Sequence, residues 1–268
     1  MLSASELKAF LRAHGVRLTK RLGQHHVVDP RVVQRLMDRL HLSSSDTVVE
    51  IGSGLGALTE PLAAHAGRVI AVDVDQTICA LLRERLAQQW SPTGKPGAPL
   101  PSSFDSLRSS LDKLGTCPER GKAESRGSLR TTPRPAGGDI PSEGPPANLS
   151  RAESREAGAR VEGSNVTVVC GDILEFPWNA YEGSVVVGAI PYHITSPIIV
   201  SLCDNRRAIR EAWLILQEEV ARRLTAKPST KAYGRLSVLG QYGWEIAPVM
   251  AIPRRAFFPQ PEVDSTCL

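Results

Sequence analysis

Thr47-Val-Val-Glu-Ile-Gly-Ser-Gly-Leu-Gly56 runs a short, mostly apolar strand pattern straight into three glycines spaced two apart. Leu58 to Ala66 follows with helical periodicity. A buried strand, a tight turn and a helix form the opening unit of a parallel sheet, because parallel neighbours need a crossover. Without a Cβ, Gly52, Gly54 and Gly56 let the backbone turn sharply and approach a ligand. Arg68–Asp73 reads as the next strand and ends in a carboxylate, where an acid can accept both hydroxyls of a ribose.

Outward from this unit the same alternation continues. Ser3-x-x-Glu6 is a capping-box pattern opening a basic helix. Asp29-Pro30 starts a second helix, with Val32, Val33, Leu36, Met37 and Leu40 on its apolar side. Gln76–Gln89 reads as a helix, and Val166–Cys170, Ser184–Gly188, Ala212–Leu216 and Glu245–Ile252 as strands. Helices are expected from near Ser196, over Glu218–Ala226 and over Tyr233–Tyr242. Apolar strands alternating with amphipathic helices predict an α/β fold with a mostly parallel sheet covered on both faces.

Residues 91–164 break the pattern. They hold 10 Pro, 10 Gly and 12 Ser, and only nine Leu, Ile, Val or Phe. Such a stretch cannot bury enough apolar area to offset its ordering entropy. The expectation is one discontinuous domain, 1–90 with 165–268, interrupted by a low-complexity, disordered insertion.

Composition narrows the function classes. Hydrophobic residues make up 41% of the 268, which supports a packed core, and no apolar run approaches the ~18 residues of a membrane span. A net charge of +4 permits a nucleic-acid partner without requiring one. Lys8, Arg12, Arg17, Lys20 and Arg21 form a basic N-terminal region suited to phosphate contacts. Cys79, Cys117, Cys170, Cys203 and Cys267 include no C-x-x-C pair, so neither a disulfide framework nor a metal site is expected. A reducing cytoplasm is the expected compartment.

The glycine turn leaves the cofactor open. Gly52-x-Gly54-x-x-Ala57 also fits a dinucleotide fingerprint, so a nicotinamide cofactor stays in contention. Glu50, on the strand just before the glycines, suits a cationic ligand better than a pyrophosphate. Asp172, after a third strand, could accept from an adenine amine, or could simply cap a turn. Both favour S-adenosyl-L-methionine.

Val187-Gly-Ala-Ile-Pro-Tyr-His193 resembles the Asn-(Leu/Ile)-Pro-Tyr signature of amino methyltransferases. Leu22-Gly-Gln-His25 resembles a Gly-Gln-(Asn/His)-Phe-Leu motif. Leu216-Gln-Glu-Glu-Val-Ala-x-Arg-Leu224, Lys231-Ala-Tyr-Gly-Arg-Leu-Ser-Val238 and Ala256-Phe-x-Pro-x-Pro-x-Val-Asp-Ser265 follow in order. Together they resemble the KsgA-type ribosomal RNA adenine dimethyltransferases over essentially everything except 91–164. Erythromycin-resistance methylases and mitochondrial transcription factor B proteins share many of the motifs.

The resemblance implies a Rossmann-like class I S-adenosylmethionine-dependent methyltransferase fold with a seven-stranded sheet. It implies an enzyme that dimethylates N6 of adjacent adenines near the 3′ end of small-subunit rRNA, acting on the immature small ribosomal subunit as a monomer, with no membrane role. Carried over by position, His25, Val27, Gly52, Asp73, Asp172 and Ala189 hold the cofactor, with Glu50 beside them. Tyr192 and Phe257 sandwich the flipped adenine, while Ala189 and Ile190 stand at the reacting amine.

Two positions depart from the family pattern. Ala189 replaces the Asn whose side-chain oxygen accepts from the target amine, leaving the backbone carbonyl of Ile190. Losing one such contact typically costs ~2–4 kcal/mol in the transition state. His193 is adjacent, although strand alternation points it elsewhere. His26 stands where the family has Phe. The chain ends at Leu268, short of the family's small helical C-terminal lobe, so the lobe is expected to be absent. The alternative reading is a non-catalytic relative that binds cofactor and RNA, as an assembly factor or transcription factor.

Overall fold

The computed structural model describes residues 1–16, 25–90 and 158–268. The expectations for Arg17, Lys20, Arg21, the Leu22–Gln24 part of the N-terminal motif and residues 91–157 lie outside this set.

Five strands form the parallel centre of one sheet: β2 (Thr47–Ile51), β3 (Arg68–Asp73), β5 (Val166–Cys170), β6 (Ser184–Ala189) and β7 (Ile209–Gln217). β4 (Gly158–Arg160) pairs antiparallel with β5. β10 (Ser265–Cys267) runs antiparallel between β7 and β8 (Met250–Ile252). The order is β4-β5-β3-β2-β6-β7-β10-β8. A separate two-stranded sheet pairs β1 (His26–Val27) with β9 (Phe257–Phe258), in register Val27↔Phe257 and His26↔Phe258.

The sheet has eight strands where seven were expected, and the eighth is β4. Residues 158–164 therefore belong to the domain rather than to the insertion. Ala159 lies opposite Val168, Val161 is buried, and Ser164 Oγ accepts from Val166 N while donating to Val161 O. Two Gly and a Ser within this short segment disguise it as more of the polar tract. The last expected strand, Glu245–Ile252, shortens to Met250–Ile252.

Period-two alternation along the central strands feeds two cores. Val48 and Val69 face the side covered by α2 (Pro30–Leu40), α3 (Thr59–His65) and α4 (Gln76–Gln89), against Leu36, Leu62 and Leu82. Val49, Ile51 and Ile70 face the other side, against Ile198 and Leu202 of α5 (Thr195–Asp204) and Leu224 of α6 (Glu218–Leu224). α7 (Arg235–Gly243) packs on α5 and α6.

Local chemistry sets the helix starts. Ser3 Oγ accepts from Glu6 N, and the Glu6 carboxylate accepts from Ser3 N at 2.8 Å, closing the capping box of α1 (Ala4–Ala13). Leu7 and Leu11 of α1 bury against Leu55, Ile78 and Leu81, so this helix docks on the glycine turn and α4. Asp29 caps α2 by accepting from Arg31 N at 3.0 Å, and Pro30 supplies the first helical residue.

These contacts differ in size. Leu36→Ala should lower the unfolding free energy by about 2–5 kcal/mol, because the side chain is wholly buried and leaves a cavity. Asp29→Ala should cost about 1 kcal/mol through the lost cap. Denaturant titration of both variants tests the ranking.

Candidate active site

The strand order reverses direction at β2, where β3 lies on one side and β6 on the other. Ligands of open α/β sheets bind at the carboxyl ends beside such a switch. A cavity of about 480 Å3 opens there, within the range of small-molecule sites.

The turn after β2 builds one wall. Gly52, Gly54 and Gly56 have φ of 71°, 52° and 85°, in the left-handed region that favours glycine. Gly52 N and Ser53 N both donate to Val72 O, at 2.9 and 3.1 Å, folding the turn over the end of β3. A Cβ on Gly54 would meet the His26 ring at 2.6 Å, so no larger residue fits. Gly54 N donates to Asp73 Oδ2 at 2.9 Å, and Asp75 N donates to Asp73 Oδ1 at 3.0 Å. Burial raises the Asp73 pKa, and these two backbone donors pull it back. Each oxygen keeps a further lone pair for a ligand hydroxyl.

Of the residues expected to hold a cofactor, His25, Gly52, Gly54, Asp73, Asp172 and Ala189 all line this cavity. Asp172 also caps the following 3-10 turn by accepting from Leu174 N at 3.0 Å, as its turn reading expected.

Val27 and Glu50 do not line it. Val27 is buried in the β1–β9 pair. Glu50 shares the Val48 face of β2, and its side chain lies beneath α3 rather than beyond the strand end. Thr59 Oγ1 donates to Glu50 Oε2 at 2.6 Å. Burial pushes the Glu50 pKa up to about 8, so the carboxyl is mostly protonated at neutral pH.

A second, much smaller space of about 10 Å3 adjoins the first. Ile190, Tyr192 and Phe257, the residues expected beside the base, line it together with Ile215 and Ser265. Tyr192 Oη lies 3.2 Å from Ser265 Oγ, and burial raises the phenol pKa. The Tyr192 and His25 rings stack with centroids 5.3 Å apart and 29° between planes.

His193 corrects its expectation. It lines the larger cavity, because Pro191 ends β6 and residues 192–194 form a 3-10 turn in which alternation no longer holds. His26 lines that cavity too. Burial lowers its pKa to about 4 and keeps the ring neutral, and its buried Nε2 has no hydrogen-bond partner. Val74, Ile173 and Leu174 also line it, and their only sequence signal was lying within two residues of Asp73 or Asp172.

Lys8 and Arg12 are exposed on α1. No His, Cys, Asp or Glu cluster suited to a metal ion occurs among the described residues. A separate, mostly apolar cavity of about 420 Å3 between β7 and α7 brings no comparable polar set together. No described helix is long and apolar enough to cross a membrane.

Comparison with known proteins agrees with this geometry. The family model described as ribosomal RNA adenine dimethylase matches residues 15–93 and 152–268. The chain is 34% identical to the ribosomal RNA small subunit methyltransferase A of Moorella thermoacetica, over 97% of this chain and 69% of that protein. It is 29% identical to the protein of the same name from Bacillus mycoides, over 97% of this chain and 67% of that protein. A crystal structure of a dimethyladenosine transferase from Plasmodium falciparum superposes with a TM-score of 0.58 at 22% identity, covering 91% of this chain and 62% of that one. The chain spans about two thirds of the length of these relatives. A family model matched on both sides of the 93–152 gap, together with a glycine turn, two acids and an aromatic slot in one place, makes this chain a member of the ribosomal RNA adenine dimethylase family.

Proposed function

We propose that this chain dimethylates N6 of adjacent adenines near the 3′ end of small-subunit rRNA, using S-adenosyl-L-methionine. The observation that carries the reading is the junction of the two spaces: the acid-lined cavity and the aromatic slot share a wall formed by His25 and Ala189. A methyl donor on one side and a base on the other would meet there. The same reading makes the immature small subunit the substrate, the cytoplasm the setting and the monomer the working form.

The residues present fit the cofactor. Gly52 and Gly54 clear the backbone for close approach, and Asp73 has acceptor capacity left for a ribose. Asp172, on the same cavity lining, would take the adenine end. When bound, the cofactor supplies an electrophilic methyl on a sulfonium.

The chain's own work is placement. Tyr192 and Phe257 stack the flipped base, each worth roughly 1–3 kcal/mol. The slot must widen for the base to enter, and one of its walls, the β1–β9 pair, is a sheet of its own. Ile190 offers its carbonyl, whereas the Ala189 carbonyl faces the glycine turn, 3.5 Å from where a Gly52 Cβ would sit. No strong base is required, since the amine becomes acidic only after the new bond has formed. Ala189 also supports a second reading, a cofactor- and RNA-binding relative without turnover. Methyl incorporation by the native chain into unmodified small subunits separates the two.

Asp73→Ala should weaken S-adenosylhomocysteine binding by about tenfold or more, read by calorimetry, through the lost charged acceptor. Tight NADH binding with no response to the methyl-donor analogue would reject the reading.

Glu50 predicts a pH dependence of stability. Its folded pKa of about 8 exceeds the unfolded value of 4.5, so the native state holds an extra proton between them. Its contribution is fully present below 4.5 and is lost as pH rises toward 8. Glu50→Gln should flatten that fall in urea melts across the same window.

Lys8→Glu with Arg12→Glu should weaken rRNA binding uniformly across sequences. Each lost phosphate contact should reduce the salt slope by about 1. Unchanged affinity and slope in filter binding would remove these residues from the RNA surface.

A further inference from the structure

Ala189 leaves the target amine without the side-chain acceptor that the family motif places there. Any replacement must reach the boundary between the cofactor cavity and the base slot. Among the described residues, only His25 and Ala189 stand on both walls, and His193 reaches the larger cavity alone.

The chemistry of His25 is fixed by its neighbour. Its Nδ1 lies 2.7 Å from the carbonyl oxygen of Pro259. A carbonyl oxygen can only accept, so Nδ1 carries the proton and donates. In the neutral ring the lone pair then sits on Nε2. The β1–β9 ladder joins the strands on either side of this bond, so His25 and Pro259 belong to the same small unit as Phe257. A displacement of that unit to admit a base would carry His25 and Pro259 together and leave the bond that sets the tautomer in place.

Resting on the dimethyltransferase reading, we propose that His25 is a catalytic residue whose Nε2 accepts a hydrogen bond from the exocyclic amine of the target adenine, replacing the acceptor missing at Ala189. The amine nitrogen forms its bond to the methyl carbon as the sulfur–carbon bond breaks, and that electron pair stays on sulfur. The surplus proton on nitrogen passes along the hydrogen bond to Nε2 and then to water. An amine or a monomethylamine has an N–H to offer Nε2, and a dimethylamine has none. The contact therefore holds the base through two transfers and vanishes with the finished product.

The test measures methyl transfer to unmodified small ribosomal subunits by the native chain and by H25F, H25Q, A189N and H25F/A189N. His25→Phe keeps an aromatic ring beside Tyr192 and should lower kcat by about tenfold or more, with KM for subunits little changed. His25→Gln, whose amide oxygen can reach the same place, should recover most of the loss. Ala189→Asn should rescue the H25F chain by about tenfold but raise the native chain far less, because there an acceptor already exists. In the native chain, the 15N resonance of His25 Nε2 should shift when S-adenosylhomocysteine and an rRNA fragment bind together, a readout independent of how the variants fold. Native turnover by H25F, an equal gain from A189N in both backgrounds, or an unmoved Nε2 resonance would each overturn the assignment. If neither the native chain nor A189N transfers methyl groups, the dimethyltransferase reading itself falls, and this role with it.

Discussion

The hydrogen bond from Gly54 N to the Asp73 carboxylate ties together the two strand ends on which the site is built. Asp73 reaches one way to the glycine turn and the other way to Asp75 N, and Asp75 in turn caps α4 through Thr77 N and Ile78 N. Turn, acid and helix thus form one connected run of bonds. The run closes because β2 and β3 pair in parallel, with Ile51 beside Val72, so the turn leaves one strand level with the end of the other. Shifting that register by one residue would separate donor from acceptor and turn the two faces of each strand inside out.

Sequence patterning exposed what depends on burial and near-neighbour chemistry. Thr47–Ile51, Arg68–Asp73, Gln76–Gln89 and Val166–Cys170 match their expected bounds. Each carries a long apolar period or a strong cap. β1 and β9 have two residues each, too short for any period, and they exist only because segments more than 200 residues apart meet. β4 was hidden for a related reason: its burial comes from β5, while its own composition continues that of the polar tract.

The site shows the same division. Gly52, Gly54, Asp73 and Asp172 were legible because turn geometry and strand ends place them locally. Glu50 was misjudged because period two along β2 sends it sideways to Thr59, not onward to the ligand. His193 was misjudged in the opposite sense, since Pro191 cancels the period that would have hidden it. The slot of Tyr192 and Phe257 came from resemblance to a family, and no local rule would have joined residues 65 positions apart. Ala189 is the remaining tension. Its surroundings keep the outline of a methyl-transfer site, while the atom that motif members use for aiming is missing.

The small β1–β9 sheet carries a consequence for how the protein is made. One wall of the cavity comes from His25 and His26, near the start of the chain, yet His25 is held by Pro259 and His26 pairs with Phe258. During synthesis the strands that supply Gly52, Asp73, Asp172 and Ala189 leave the ribosome well before that late segment does. A nascent chain can therefore have its central sheet in place while the pocket still gapes on one side. Order of translation thus becomes a timer: capacity to grip a ligand waits on a segment that emerges after the whole central parallel sheet, on the very class of particle that its relatives' names link to their work.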